Sequence, residues 1–146
     1  MKRFCVIFIA LFAFISGCSN NEVPKIDDYI WQMSSIQATE EKGQVIAYGG
    51  SKNNSGNDNA VELQLECAAK GGVLTINDKT NNEAYTGSYQ FIDSDRKSTM
   101  YKVSLEECEG TAVISFTTYH DGTLKPTFII GLENYTINFS SDSLSK

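Results

Sequence analysis

Between residues 60 and 68 the chain alternates without a break. Val61, Leu63, Leu65 and Cys67 are apolar, and Glu62, Gln64 and Glu66 between them are polar. Successive side chains of a strand point to opposite faces. This period is therefore that of a strand with one dry and one wet face, the antiparallel pattern. The same period recurs from residue 27 onward, in stretches rich in β-branched and aromatic residues, and nothing there carries a helical period.

The alternation predicts about nine short strands: 29–38, 44–48, 60–68, 73–77, 83–92, 98–106, 111–119, 123–130 and 135–139. Turn chemistry separates them: 39–43, Gly71-Gly72, 78–82, 93–97, Glu109-Gly110 and the hairpin signal Asp121-Gly122. Only 49–59 is a long connection. Parallel pairing needs crossovers of a dozen or so residues, so the connections point to an antiparallel meander. A meander of this length must close or split into two sheets, and closure removes the edges. The expected fold is all-β: a single antiparallel up-and-down barrel of about 8–9 strands over residues 27–140, with a two-sheet sandwich as the alternative. Residues 141–146 read as a tail.

The first residues have a different character. Lys2 and Arg3 precede an apolar run from Phe4 to Ile15, followed by the small residues Ser16 and Gly17 and then Cys18. Twelve apolar residues fall short of the ~20 that a membrane-spanning helix needs, and the layout is that of a signal peptide. The tetrad Ile15-Ser16-Gly17-Cys18 resembles the bacterial lipoprotein box. The resemblance implies removal of 1–17, a diacylglycerol in thioether linkage on Cys18, and no other cofactor. It places the protein at the cell membrane or the outer membrane, lipid-anchored and facing away from the cytoplasm. Two acyl chains anchor stably where one would not. Residues 18–26, polar and holding Pro24, read as a tether.

Loss of 1–17 leaves ten Lys and Arg against eighteen Asp and Glu, a formal charge of −8. Such a chain repels phosphate backbones, which excludes nucleic acid as a partner. The lipid anchor then needs no help from anionic headgroups, and receives none.

A meander opening on a strand with Trp31 near its start is similar to the lipocalin-like, or calycin, group over residues 27–140. The group's Gly-x-Trp signature is not met, because Tyr29 stands where its Gly would be, and Arg96 is the one Arg after the leader. The resemblance implies the barrel and an open mouth, and does not carry binding residues across. Trp31, Met33, Tyr85, Tyr89, Phe91, Tyr101, Phe116 and Phe128 are candidates to line an apolar ligand cavity, or else to fill the barrel. An eight-stranded barrel sits at the size where both occur.

If the first strand leaves the tether, strict alternation sorts the turns. It places 39–43, 70–72, 93–97 and 120–125 far from the membrane, and 49–59, 78–82 and 108–110 near it. On that map Cys67 and Cys108 lie at opposite ends, too far apart for a disulfide, which needs Cα atoms within about 7 Å. Both are expected as free thiols, with Cys67 in the core. His120, the single histidine, and Asp93-Ser94-Asp95 read as turn residues, and neither makes a metal site. The expected function is non-enzymatic: a membrane-anchored binding or interaction module for a small apolar ligand or an envelope protein. The alternative is a structural, envelope-stress or inhibitor lipoprotein acting through surface loops around a filled core.

Overall fold

The structure is a computed structural model and describes residues 22–40, 43–50 and 52–144. The expected signal peptide, the tetrad that resembles a lipoprotein box and Cys18 lie outside the described residues. The chain enters through a single 3-10 turn, Ile26–Asp28, and continues as ten strands: β1 (Tyr29–Ala38), β2 (Gln44–Tyr48), β3 (Val61–Glu62), β4 (Leu65–Lys70), β5 (Val73–Asp78), β6 (Glu83–Ser94), β7 (Ser98–Leu105), β8 (Cys108–Thr118), β9 (Leu124–Leu132) and β10 (Tyr135–Leu144). From β4 to β10 each strand pairs antiparallel with the next, and β1 closes the ring against both β10 and β4. The expected all-β closed antiparallel barrel is the fold. Eight strands form it, and β2 and β3 are additional.

The end where the described chain enters is termed the base, and the opposite end the mouth. Alternating inward residues fill the interior. Trp31, Leu74, Ile76, Val103, Ala112, Ile114, Phe128, Ile130 and Phe139 are all essentially inaccessible. The centre is an aromatic series: Trp31 packs on Phe128 at 5.2 Å, and Phe128 stacks on Phe139 at 5.3 Å. The ring of eight strands closes within residues 22–144.

Four expectations change. First, the 60–68 stretch is two strands. Its ladder breaks at Leu63 and Gln64, whose backbone is tied elsewhere: Leu63 N–H donates to the Tyr48 carbonyl at 3.0 Å and Gln64 N–H to Thr80 Oγ1 at 2.8 Å. Val61, expected on the inner face, is 59% exposed, because β3 pairs beside β2 outside the ring.

Second, β2 and β3 pair in parallel. The 49–60 connection does not turn back as a hairpin. Asn57 Nδ2 donates to the Val45 carbonyl and Asn53 Nδ2 to the Asn57 carbonyl, both at 2.8 Å, which folds the loop along β2. The next strand therefore runs in the direction of β2 and antiparallel to β1. Every later turn is inverted relative to the alternating map. The β4–β5, β6–β7 and β8–β9 turns lie at the base, and the β5–β6, β7–β8 and β9–β10 turns lie at the mouth. Pairing of Tyr29 with Leu144, and the Thr39 N–H bond to the Asn134 carbonyl at 2.9 Å, fix the two ends.

Third, the expected tail is largely strand. β10 runs on through Leu144 along β1, and Ser141 donates its hydroxyl to the Ile30 carbonyl. Fourth, the expected tether is partly folded. Pro24 and Ile26 are buried at the base. The Trp31 indole N–H donates to the Ile26 carbonyl at 2.8 Å, and Ile26 N–H reaches Tyr101 Oη at 3.4 Å. An apolar residue that covers the open base of a core is stabilised there by ~2 kcal/mol.

Candidate functional site

The eight candidate lining residues do not form one site. Trp31, Met33 and Phe128 belong to the solid core. Tyr89, Phe91 and Tyr101 gather at the base. Their rings meet edge-to-face, Tyr89 on Tyr101 at 5.7 Å and Phe91 on Tyr101 at 6.1 Å. With Val23, Lys25, Asp27 and Thr99 they line an open cleft of about 520 Å³. Phe91 is 57% exposed because β6 overshoots the packed part of the barrel. Phe116 lines a separate cleft at the base beside Tyr29 and Lys125. Tyr85 alone stands at the mouth.

The mouth is a predominantly apolar concavity. Ile36, Leu63, Leu65, Ile76, Leu132 and Ile137 wall a cup of about 270 Å³, which Tyr85, Leu105, Asp78, Glu106 and Cys108 complete. Its origin is the strand pairing. β1 pairs with β4 only at Trp31 and Gln32, and with β2 from Ser35 to Ala38. Toward the mouth β1 leaves β4 and pairs with β2 instead, so the ring opens there. Below the opening, Trp31, Phe128 and Phe139 close the interior. The base cleft is larger, but the entering segment itself builds part of its wall and its lining mixes charge with apolar surface. The cup is walled mainly by strand residues, with Leu63 from the β3–β4 break and Glu106 from the β7–β8 turn.

Carboxylates lie in and beside this cup. Asp78 ends β5 and accepts from Thr80 N at 2.9 Å, Asn81 N at 3.0 Å and Asn81 Nδ2 at 2.7 Å. Burial pushes its carboxyl up, but those bonds outweigh burial and hold it below the usual range. Glu83 accepts the Tyr85 hydroxyl at 2.6 Å. That bond pushes the Tyr85 phenol up, and the charges of Glu83, Asp78 and Glu106 add to the shift. Glu106 and Glu107 form the two-residue β7–β8 turn. Glu106 sits at φ +52°, where a side chain costs energy and glycine is the usual choice.

Cys67 and Cys108 are free, the first buried and the second exposed at the mouth. Burial pushes the Cys67 thiol up to about 12. His120 is exposed in the β8–β9 turn, where its neighbour Asp121 accepts from Thr123 N at 2.9 Å. Asp95 accepts from Lys97 N and Ser98 N, both at 2.7 Å, and so closes the β6–β7 turn. No group of three or more His, Cys, Asp or Glu arranged for a metal occurs among the described residues.

Sequence reasoning missed the cup because its walls come from strand ends that meet only in the closed ring. The one available signal was the apolar series Leu63, Leu65, Leu105, Leu132 and Ile137 beside turns.

The architecture is a small closed antiparallel barrel, consistent with a lipocalin-like fold, with a filled centre and an apolar cup at one end. Comparison of the chain with protein-family models, with curated proteins and with solved structures finds no match in any of the three.

Proposed function

We propose that this protein is a lipid-anchored, non-enzymatic binding module that receives an apolar group in the mouth of its barrel. The observation that carries the reading is the apolar cup at the end opposite the entering chain. Its volume is close to the lower edge of the ~300–1,000 Å³ range of small-molecule sites, which suits one short chain or one bulky side chain. The anchor is the diacylglycerol on Cys18. Cys18 lies six residues before buried Pro24, a span of at most about 22 Å. The base then stays close to the bilayer, of the cell or the outer membrane, and the mouth faces away from it.

The anchor is tested by mass spectrometry of the N-terminal peptide, expected to start at Cys18 with diacylglycerol attached, and by Cys18→Ala, which should release the protein from membranes. The cup is tested by calorimetric titration with octanol. Binding that is lost on Leu132→Trp, which fills the cup, supports the reading, and no binding to a folded barrel defeats it.

The filled centre favours a second reading. Trp31, Phe128 and Phe139 leave no space for a deeply seated ligand. A structural or inhibitory lipoprotein acting through its surface loops needs no such space. Capture of an envelope protein that survives Leu132→Trp would favour it.

A further inference from the structure

We infer that the cup is selective for a cationic amphiphile: an apolar chain or side chain that ends in a positive charge at the rim. The inference rests on the binding role proposed for the cup and adds the charge of its occupant. Asp78 and Glu106 are part of the lining. Glu83, Glu107 and Glu133 stand in or beside three of the four turns at the mouth. Among the described residues, Lys79 pairs with Glu66 at 2.5 Å and Lys102 with Glu109 at 3.1 Å. Asp78 and Glu106 therefore put carboxylates in the lining of an apolar cup, and Glu83, Glu107 and Glu133 add negative charge in the turns beside it. The field reaches into the cup, since the Tyr85 hydroxyl feels Glu83, Asp78 and Glu106 together.

A low-dielectric wall beside several like charges strengthens attraction for an opposite charge at the rim and penalises a like one. An alkyl carboxylate would bring its charge against Glu106 and Asp78. An alkylammonium would neutralise that field while its chain fills the cup. Glu106 adds a structural argument. Glycine would fit its φ of +52° without strain, and strained positions of this kind cluster at ligand sites. The turn holds a carboxylate beside the cup where glycine would be cheaper.

The ring of eight strands closes within the described residues, so a chain beginning at Ser19 in detergent-free buffer is the test protein. Octylammonium, octanol and octanoate are titrated by calorimetry. The expected order is octylammonium, then octanol, then octanoate, with the ammonium about ten-fold or more tighter than the carboxylate at low salt. That preference should shrink several-fold between about 20 mM and about 300 mM salt, as the Debye length shortens. Glu106→Gly, which suits the backbone, combined with Glu107→Gln should lower octylammonium affinity more than octanol affinity. Equal binding of the ammonium and the carboxylate overturns the charge selectivity and leaves the binding role standing. Failure of all three to bind a barrel with native near-ultraviolet dichroism overturns both.

Discussion

The indole N–H of Trp31 donates to the carbonyl oxygen of Ile26 across 2.8 Å, and both residues are fully buried. One bond thus ties the entering segment to the aromatic centre of the barrel. Trp31→Phe keeps an aromatic ring but leaves the Ile26 carbonyl buried without its donor. The expected cost is about 1–3 kcal/mol, read as a lower midpoint in urea unfolding. Trp31→Ala should cost more, about 3–5 kcal/mol, because a cavity opens against Phe128.

Asp78 makes stability depend on pH. Its carboxyl lies below the unfolded value in the folded chain. The stabilisation is thus complete above the unfolded value of about 3.9 and is lost as pH falls through the folded value. Asp95 and Asp121 are shifted in the same direction, so the informative quantity is a difference. Thermal midpoints of the parent and Asp78→Asn should differ near neutrality and converge in acid below about pH 4. Parallel curves would refute the assignment.

Gly87 lies in β6 where the strand crosses closest to β7. A Cβ there would overlap the Ser104 carbonyl oxygen and press on Leu105. The obstacle is backbone, so Gly87→Ala should cost about 1–3 kcal/mol through forced displacement. Gly71→Ala has open space but a φ of +59°. Its cost should be near 1 kcal/mol, of conformational origin. Equal losses at the two sites would sink the close-approach argument.

The two free thiols should separate cleanly by reactivity. Cys67 is buried with its thiol pushed up to about 12, whereas Cys108 is exposed at the mouth. The thiolate is the reactive form. Iodoacetamide at pH 8 should modify Cys108 in the native protein and reach Cys67 only after unfolding. Mass spectrometry counts the adducts, and rapid native labelling of Cys67 would contradict the packing.

Particular elements show how far the sequence was legible. Tyr29–Ala38 and Gln44–Tyr48 were bounded correctly, since each is a run of strand-forming residues ended by turn residues. The inward set of β7, Tyr101, Val103 and Leu105, followed from alternation alone. The 49–60 connection was misjudged because its course depends on Asn57 reaching Val45 across the sheet. With it went the orientation of every later turn. The place of Ile26 was hidden for a similar reason. A single apolar residue in a polar run gives no local sign that the base of a barrel lies beneath it.

The sequence by itself determined the all-β class, the period that sorts inside from outside, most strand boundaries and the acidic balance. These are local: they follow from the pleat, from turn chemistry and from counting charges. Only the tertiary structure decided which strands pair, that β2 lies beside β1 outside the ring, and that the mouth holds an apolar cup with Asp78 and Glu106 in its lining. Those outcomes depend on contacts between residues far apart in the chain, such as Tyr29 with Leu144 and Trp31 with Cys67. Alternation says which way each side chain points, and ring closure decides what it meets.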